Sequence, residues 1–156
     1  MKIKILICRG DVMAEILLLY SILLYVGLMS DAEYKEYLDA LFLKNPDNDL
    51  LLELEWKTSD IEGTIKIIFY YCLENNVDYG VFGYFLISKL EELYYQDDMD
   101  IQSFGEKMYS IWRVLPSEIE DKEPFFTLCY ADDPLSWGDE DQTRAIYQKM
   151  FQYYKK

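Results

Sequence analysis

Ile16–Met29, ILLLYSILLYVGLM, runs for fourteen residues without a charge. A helix apolar all round has no face to give to water and is buried, so this segment predicts a central helix that the rest of the chain covers. A membrane span needs about 20 predominantly apolar residues, and about 10 to 14 point to a core helix instead. Extending the run back to Val12 admits Glu15, with Asp11 and Arg9 just before it. The same charges interrupt any secretory signal that Lys2 and Lys4 would open, and no A-x-A cleavage site follows. The sequence reads as a soluble, cytoplasmic chain that does not enter a membrane.

Working outward, Asp11 is placed to cap this helix, which the pattern carries through Met29. Ser30 and Glu33 form a capping box, followed by Tyr34, Leu38, Leu41 and Phe42 at helical spacing. Asn45-Pro46-Asp47-Asn48 is a turn cluster that ends that helix. Ser59 and Glu62 form a second capping box, and Ile61, Ile65, Ile68 and Cys72 mark a core stripe to about Leu73, before Asn75-Asn76. Asp78 is set to cap a helix with Phe82, Leu86, Leu90 and Leu93 on one face. Gly80 and Gly83 in its first turns each cost about 1 kcal/mol against Ala, which points to close approach of a neighbour. Asp97 to Asp100 reads as a turn, and Asp100 caps a helix bearing Ile101, Phe104, Met108, Ile111 and Leu115, ended by Pro116. Pro124 opens a short apolar stretch, Phe125 to Tyr130, and Asp133-Pro134 and Gly138 bracket an irregular loop. Asp139, with Gln142 three positions on, caps a last helix carrying Ile146, Met150, Tyr153 and Tyr154.

The predicted fold is all-α: seven or eight helices packed around the apolar one in a single helical domain, residues 1–156. That length is about one domain with a real core. A content of 51% hydrophobic and 17% aromatic residues excludes disorder, and no Ser/Gly-rich linker divides the chain. An α+β alternative stays open: KIKILI at 2–7 alternates at first, and Leu52–Trp56 alternates within LLLELEW, so 2–7 and 50–56 can be drawn as a strand pair. Leu and Glu favour a helix at 50–56.

Composition removes whole classes of chemistry. The chain has no histidine, hence no Ser-His or Cys-His nucleophile and none of the commonest metal ligand. Cys8, Cys72 and Cys129 form no CxxC motif and no disulfide framework, and read as three buried, reduced thiols. No P-loop, EF-hand or GxGxxG occurs. The expectation is a protein that is not an enzyme and has no cofactor and no metal site. The net charge of −14 argues against nucleic-acid binding, which needs a basic footprint, and against anionic membrane surfaces.

The charge is unevenly spread along the chain. Residues 91–141 hold fifteen acidic side chains against Lys107, Arg113 and Lys122, net −12, and the other 105 residues are net −2. Such a surplus opposes compaction, and a basic partner is one reason to tolerate it. Acidic surfaces also keep proteins soluble, and several of these residues serve as helix caps. Aromatics interleave with the acids, and Tyr and Trp are typical interface anchors, although core packing is the commoner fate of an aromatic at helical spacing. The candidate partner-binding set is Tyr94, Tyr95, Asp97, Asp98, Asp100, Asp132, Asp133, Trp137, Asp139, Glu140 and Asp141. Trp56 and Trp112 are assigned to the core.

At LLELEW (Leu51 to Trp56) and DDPLSWG (Asp132 to Gly138) the chain resembles small acidic bacterial immunity proteins of polymorphic or contact-dependent toxin systems. The resemblance is one of type and extends to length, acidity and aromatic content, and it transfers no functional residue by position. It implies binding to a cognate toxin C-terminal domain, often a basic nuclease, and obstruction of its active site or substrate groove. Two other classes stay open: a different acidic regulatory module, such as a nucleic-acid mimic or an adaptor for a helix, and a carboxylate-based enzyme using paired acids.

Overall fold

The computed structural model describes residues 12–96 and 99–155. Asp11, Cys8 and residues 2–7, which the α+β alternative drew as a strand, lie outside them. Among the described residues there are eight α-helices, one 3-10 helix and no strand. The chain divides into two compact units between Asp78 and Tyr79. The first holds α1 (Met13–Tyr25), α2 (Asp31–Lys44), α3 (Asp49–Trp56) and α4 (Ile61–Glu74). The second holds α5 (Tyr79–Tyr94), α6 (Ile101–Trp112), α7 (Thr127–Tyr130), the 3-10 helix (Asp133–Trp137) and α8 (Glu140–Phe151).

In the first unit every residue of α1 from Ala14 to Leu24 is buried. Helix α1 packs along α4 and touches α2. Fully buried Leu17, Ile22 and Leu23 each contribute about 1.5–3 kcal/mol by leaving water. Hydrogen bonds reach polar groups of this helix from within and from α4. The Ser21 hydroxyl donates to the Leu18 carbonyl at 2.8 Å, and the Cys72 thiol on α4 donates to the Ala14 carbonyl at 3.6 Å. Glu15 is buried, and its Oε1 accepts the Asp78 amide at 2.7 Å, so the charge that interrupts the apolar run ties α1 to the end of the unit. The helix stops at Tyr25 rather than Met29. Gly27 takes φ 75°, the Leu28 amide donates to the Leu23 carbonyl at 2.8 Å, and the Gly27 amide donates to the Leu24 carbonyl at 3.1 Å. This is the Schellman closure that a glycine in the left-handed region allows.

Capping fixes the other starts. Ser30 accepts the Glu33 amide at 3.1 Å, and Asn48 accepts the Leu51 amide at 3.1 Å. The α4 cap is Asp60, which accepts the Gly63 amide at 3.0 Å, one residue later than the Ser59 box predicts. Residues 50–56 are helical. Leu51 and Leu54, three apart, point inward, whereas Leu52 and Trp56 are exposed; a strand would have put Leu52, Leu54 and Trp56 on one face.

In the second unit Phe82, Phe85, Leu86 and Leu90 of α5 are buried together with Phe104, Met108, Leu128 and Tyr147. Helix α6 packs on α7, and α8 packs on α5, α7 and the 3-10 helix. Gly83 is a point of close approach: a Cβ there would meet the Tyr154 hydroxyl and lie 2.7 Å from Phe125 Cζ. The core face of α8 is Thr143, Tyr147, Met150 and Phe151. Of the predicted stripe only Met150 is buried, while Tyr153 is exposed. The segment from Asp133 to Trp137 is a regular 3-10 turn rather than an irregular loop.

Candidate partner-binding surface

The DDPLSWG segment is held at both ends. Pro134, whose φ is preset for a helical first turn, is buried near its start. The Ser136 hydroxyl returns to the Asp133 carbonyl at 2.8 Å. Gly138 takes φ 82°, and the Asp139 amide donates to the Pro134 carbonyl at 3.0 Å. Asp139 then caps α8 through the Gln142 amide at 3.0 Å. This frame leaves Trp137 63% exposed, and its chain neighbours Asp133, Asp139, Glu140 and Asp141 are exposed as well.

The remaining candidates are placed differently. Tyr94 is half-buried, its ring 5.3 Å from Phe104 and 5.2 Å from Phe151. Arg144 sits over that ring at 5.9 Å, donates to the Tyr94 hydroxyl at 3.3 Å, and pairs with Glu140 at 2.6 Å. Tyr94 therefore supports Glu140 from below, while its neighbour Tyr95 is exposed. Asp132 is half-buried, and Gly105 makes room for it: a Cβ on Gly105 would lie 2.7 Å from the Asp132 Cβ. Burial pushes the Asp132 carboxyl up, and Asp133 and Glu106 add to the shift. Asp100 is exposed and caps α6, its carboxyl held below the usual range by the hydrogen bond from the Ser103 amide at 2.8 Å. Asp97 and Asp98 lie outside the described residues. So Asp133 and the run from Ser136 to Asp141 are exposed on either side of buried Pro134, and Asp132 and Tyr94 are half-buried.

The charge window looks different in three dimensions. Glu91 pairs with Lys155 at 2.6 Å and Glu92 with Lys89 at 3.5 Å, and, as with Arg144, both cations come from outside residues 91–141. The second unit has fifteen acidic and eight basic residues, net −7, and the first has fourteen and seven, also net −7. The imbalance along the chain is thus an effect of where the window is cut.

Trp56, assigned to the core, is 80% exposed. Helix α3 buries its Leu51–Leu54 side, and Trp56 falls on the other. Trp112 is half-buried, its indole donating to the Glu120 carbonyl at 2.9 Å. Neither described thiol is activated: burial, with Glu15 nearby, pushes Cys72 up to about 12, and burial also raises Cys129. Among the described residues no group of three His, Cys, Asp or Glu side chains is placed to hold a metal ion, and no helix is long and apolar enough to cross a membrane. A groove of about 550 Å³ runs beside α7 and α8, with Glu123 in its lining. The Glu123 carboxylate is engaged by the Thr127 hydroxyl at 2.5 Å and the Tyr130 hydroxyl at 3.4 Å. No family model matches the chain, nor does any curated protein or solved structure.

Proposed function

We propose that the chain is an immunity protein: in the cytoplasm it binds a cognate, basic bacterial toxin domain of nuclease type and blocks it, without catalysis of its own. The observation that carries the binding surface is Trp137, 63% exposed on a braced 3-10 turn and flanked along the chain by exposed carboxylates. A nuclease groove is positive because its substrate is polyanionic. Asp133, Asp139 and Asp141 meet that field and speed encounter, and Trp137 supplies the desolvated anchor. The Pro134, Gly138 and Asp139 constraints mean that little ordering entropy is lost on binding. That the partner is a toxin domain rests on the resemblance to acidic immunity proteins.

The test uses the polypeptide encoded immediately upstream of this chain. Its C-terminal domain, when toxic, is neutralised by co-expression of this protein. In stopped-flow mixing, Asp133→Asn with Asp141→Asn slows association about tenfold or more at low salt, with little effect at high salt where charges are screened. Trp137→Ala raises the dissociation rate instead. Unchanged rates in both variants, or an upstream product that is not toxic, refute this function.

A further inference from the structure

We infer that the outer face of α3 and α4 in the first unit is a docking surface for a cationic amphipathic helix of a protein partner. Single exposed apolar side chains are ordinary, but here they gather. On α4, Thr64, Ile65 and Ile68 are buried, and Tyr70 and Leu73 stand off that stripe, 70% and 81% exposed. On α3, Leu51 and Leu54 face inward, and Leu52 and Trp56 are exposed. The two helices share an open groove of about 350 Å³ whose lining includes Leu50, Ile67, Tyr70 and Tyr71. Leu73 follows Tyr70 by three residues, and Trp56 follows the groove residue Glu53 by three, so each continues the lining by one turn.

Charge selects the occupant. Residues 49–74 carry six acidic and two basic side chains, net −4, and Glu53 and Glu74 line the groove against a single cation there, Lys66. A second copy of this chain would bring like charge against it. A helix with apolar residues at i, i+3, i+4 and i+7, flanked by Lys or Arg, supplies both the ridge and the counter-charge. This surface is independent of Trp137, which lies in the second unit, so either binding surface stands if the other fails.

The probe is a synthetic helix with leucines at those positions and lysines elsewhere. Its controls are a Leu/Glu peptide of the same pattern and a Ser/Lys peptide of the same charge. In NMR titrations of the full chain, the Leu/Lys peptide saturably shifts the Trp56 indole and Tyr70 amide signals, leaves the Trp137 indole in place, and binds at least tenfold more tightly than either control. Tyr70→Ser with Leu73→Ser weakens it at least tenfold, and so does Trp56→Ser on the other helix; circular dichroism shows the variants folded. Binding undiminished in all the folded variants, shifts confined to Trp137, equal affinity for the Leu/Glu or Ser/Lys peptide, or a dimer of the free chain that these substitutions dissolve would each overturn the inference.

Discussion

Gly83→Ala sets two effects of opposite sign against each other at a buried position of α5. Helix propensity favours Ala over Gly by about 1 kcal/mol, so with free space around it the substitution would stabilise the chain. Space is lacking: the new Cβ would run into the Tyr154 hydroxyl and stand 2.7 Å from Phe125 Cζ. Phe125 is itself buried, with its ring stacked 6.1 Å from Phe82, and it cannot withdraw without losing that contact. Two obstructing groups place the overpacking cost toward the upper part of the usual range, about 2–3 kcal/mol. The net loss is then about 1–2 kcal/mol, a fall in melting temperature of about 3–6 °C for a chain of this length. Urea unfolding followed by circular dichroism measures it. Repeating Gly83→Ala in a Phe125→Leu background removes the end of the ring, and the two changes together then cost about 1 kcal/mol less than their sum. A Gly83→Ala variant as stable as the parent, or additive with Phe125→Leu, would show that close approach does not explain this glycine.

At Asp139, Ala loses the α8 cap and costs about 1 kcal/mol, whereas Asn keeps the acceptor for the Gln142 amide and costs only a few tenths; equal losses in thermal unfolding would mean that the cap is not what stabilises the turn. The folded-state pKa of Asp132 is raised, so its contribution is present below the ordinary carboxylate range and lost as pH rises through the folded value. Asp132→Asn is therefore expected to be more stable than the parent at pH 7, with the difference shrinking toward pH 3, and a difference that grows on acidification would contradict this. With its pKa near 12, Cys72 is almost wholly protonated at neutral pH, and iodoacetamide should label it roughly a thousandfold more slowly than an ordinary thiol in the folded chain; labelling at the ordinary rate would mean that the thiol is not held as described.

The all-helical character was legible because five of the eight described α-helices start at a side-chain cap and α1 carries no charge from Ile16 onward. Ser30, Asn48, Asp60, Asp100 and Asp139 each cap a helix through their own side chains, and that chemistry lies within four residues. Gly27 was an equally local stop signal, outweighed in the sequence by the apolar Leu28 and Met29 beyond it. What misled was phase. On α8, Tyr147 and Phe151 are the buried aromatics, yet Ile146, Met150 and Tyr153 also recur at helical spacing, and Tyr153 lies beyond the helix end at Phe151. Trp56 misled for a related reason: a large aromatic is expected inside, but Leu51 and Leu54 already occupy the inward side of a two-turn helix. Tyr70 and Leu73 did fall off the α4 stripe, so their exposure was readable.

The sequence alone determined the all-helical class, the caps at Ser30, Asp100 and Asp139, the buried apolar α1 and the absence of histidine chemistry, since these depend on neighbours a few residues apart. Only the tertiary structure decided how the charge is distributed and which aromatics reach solvent. Lys155 comes to Glu91 from 64 positions away, and Arg144 comes to Tyr94 from 50, so a surplus counted along the chain is partly neutralised by cations folded back onto it. Exposure likewise depends on what packs opposite a side chain, which explains why Trp137 and Trp56 stand in solvent while Tyr147 is sealed inside.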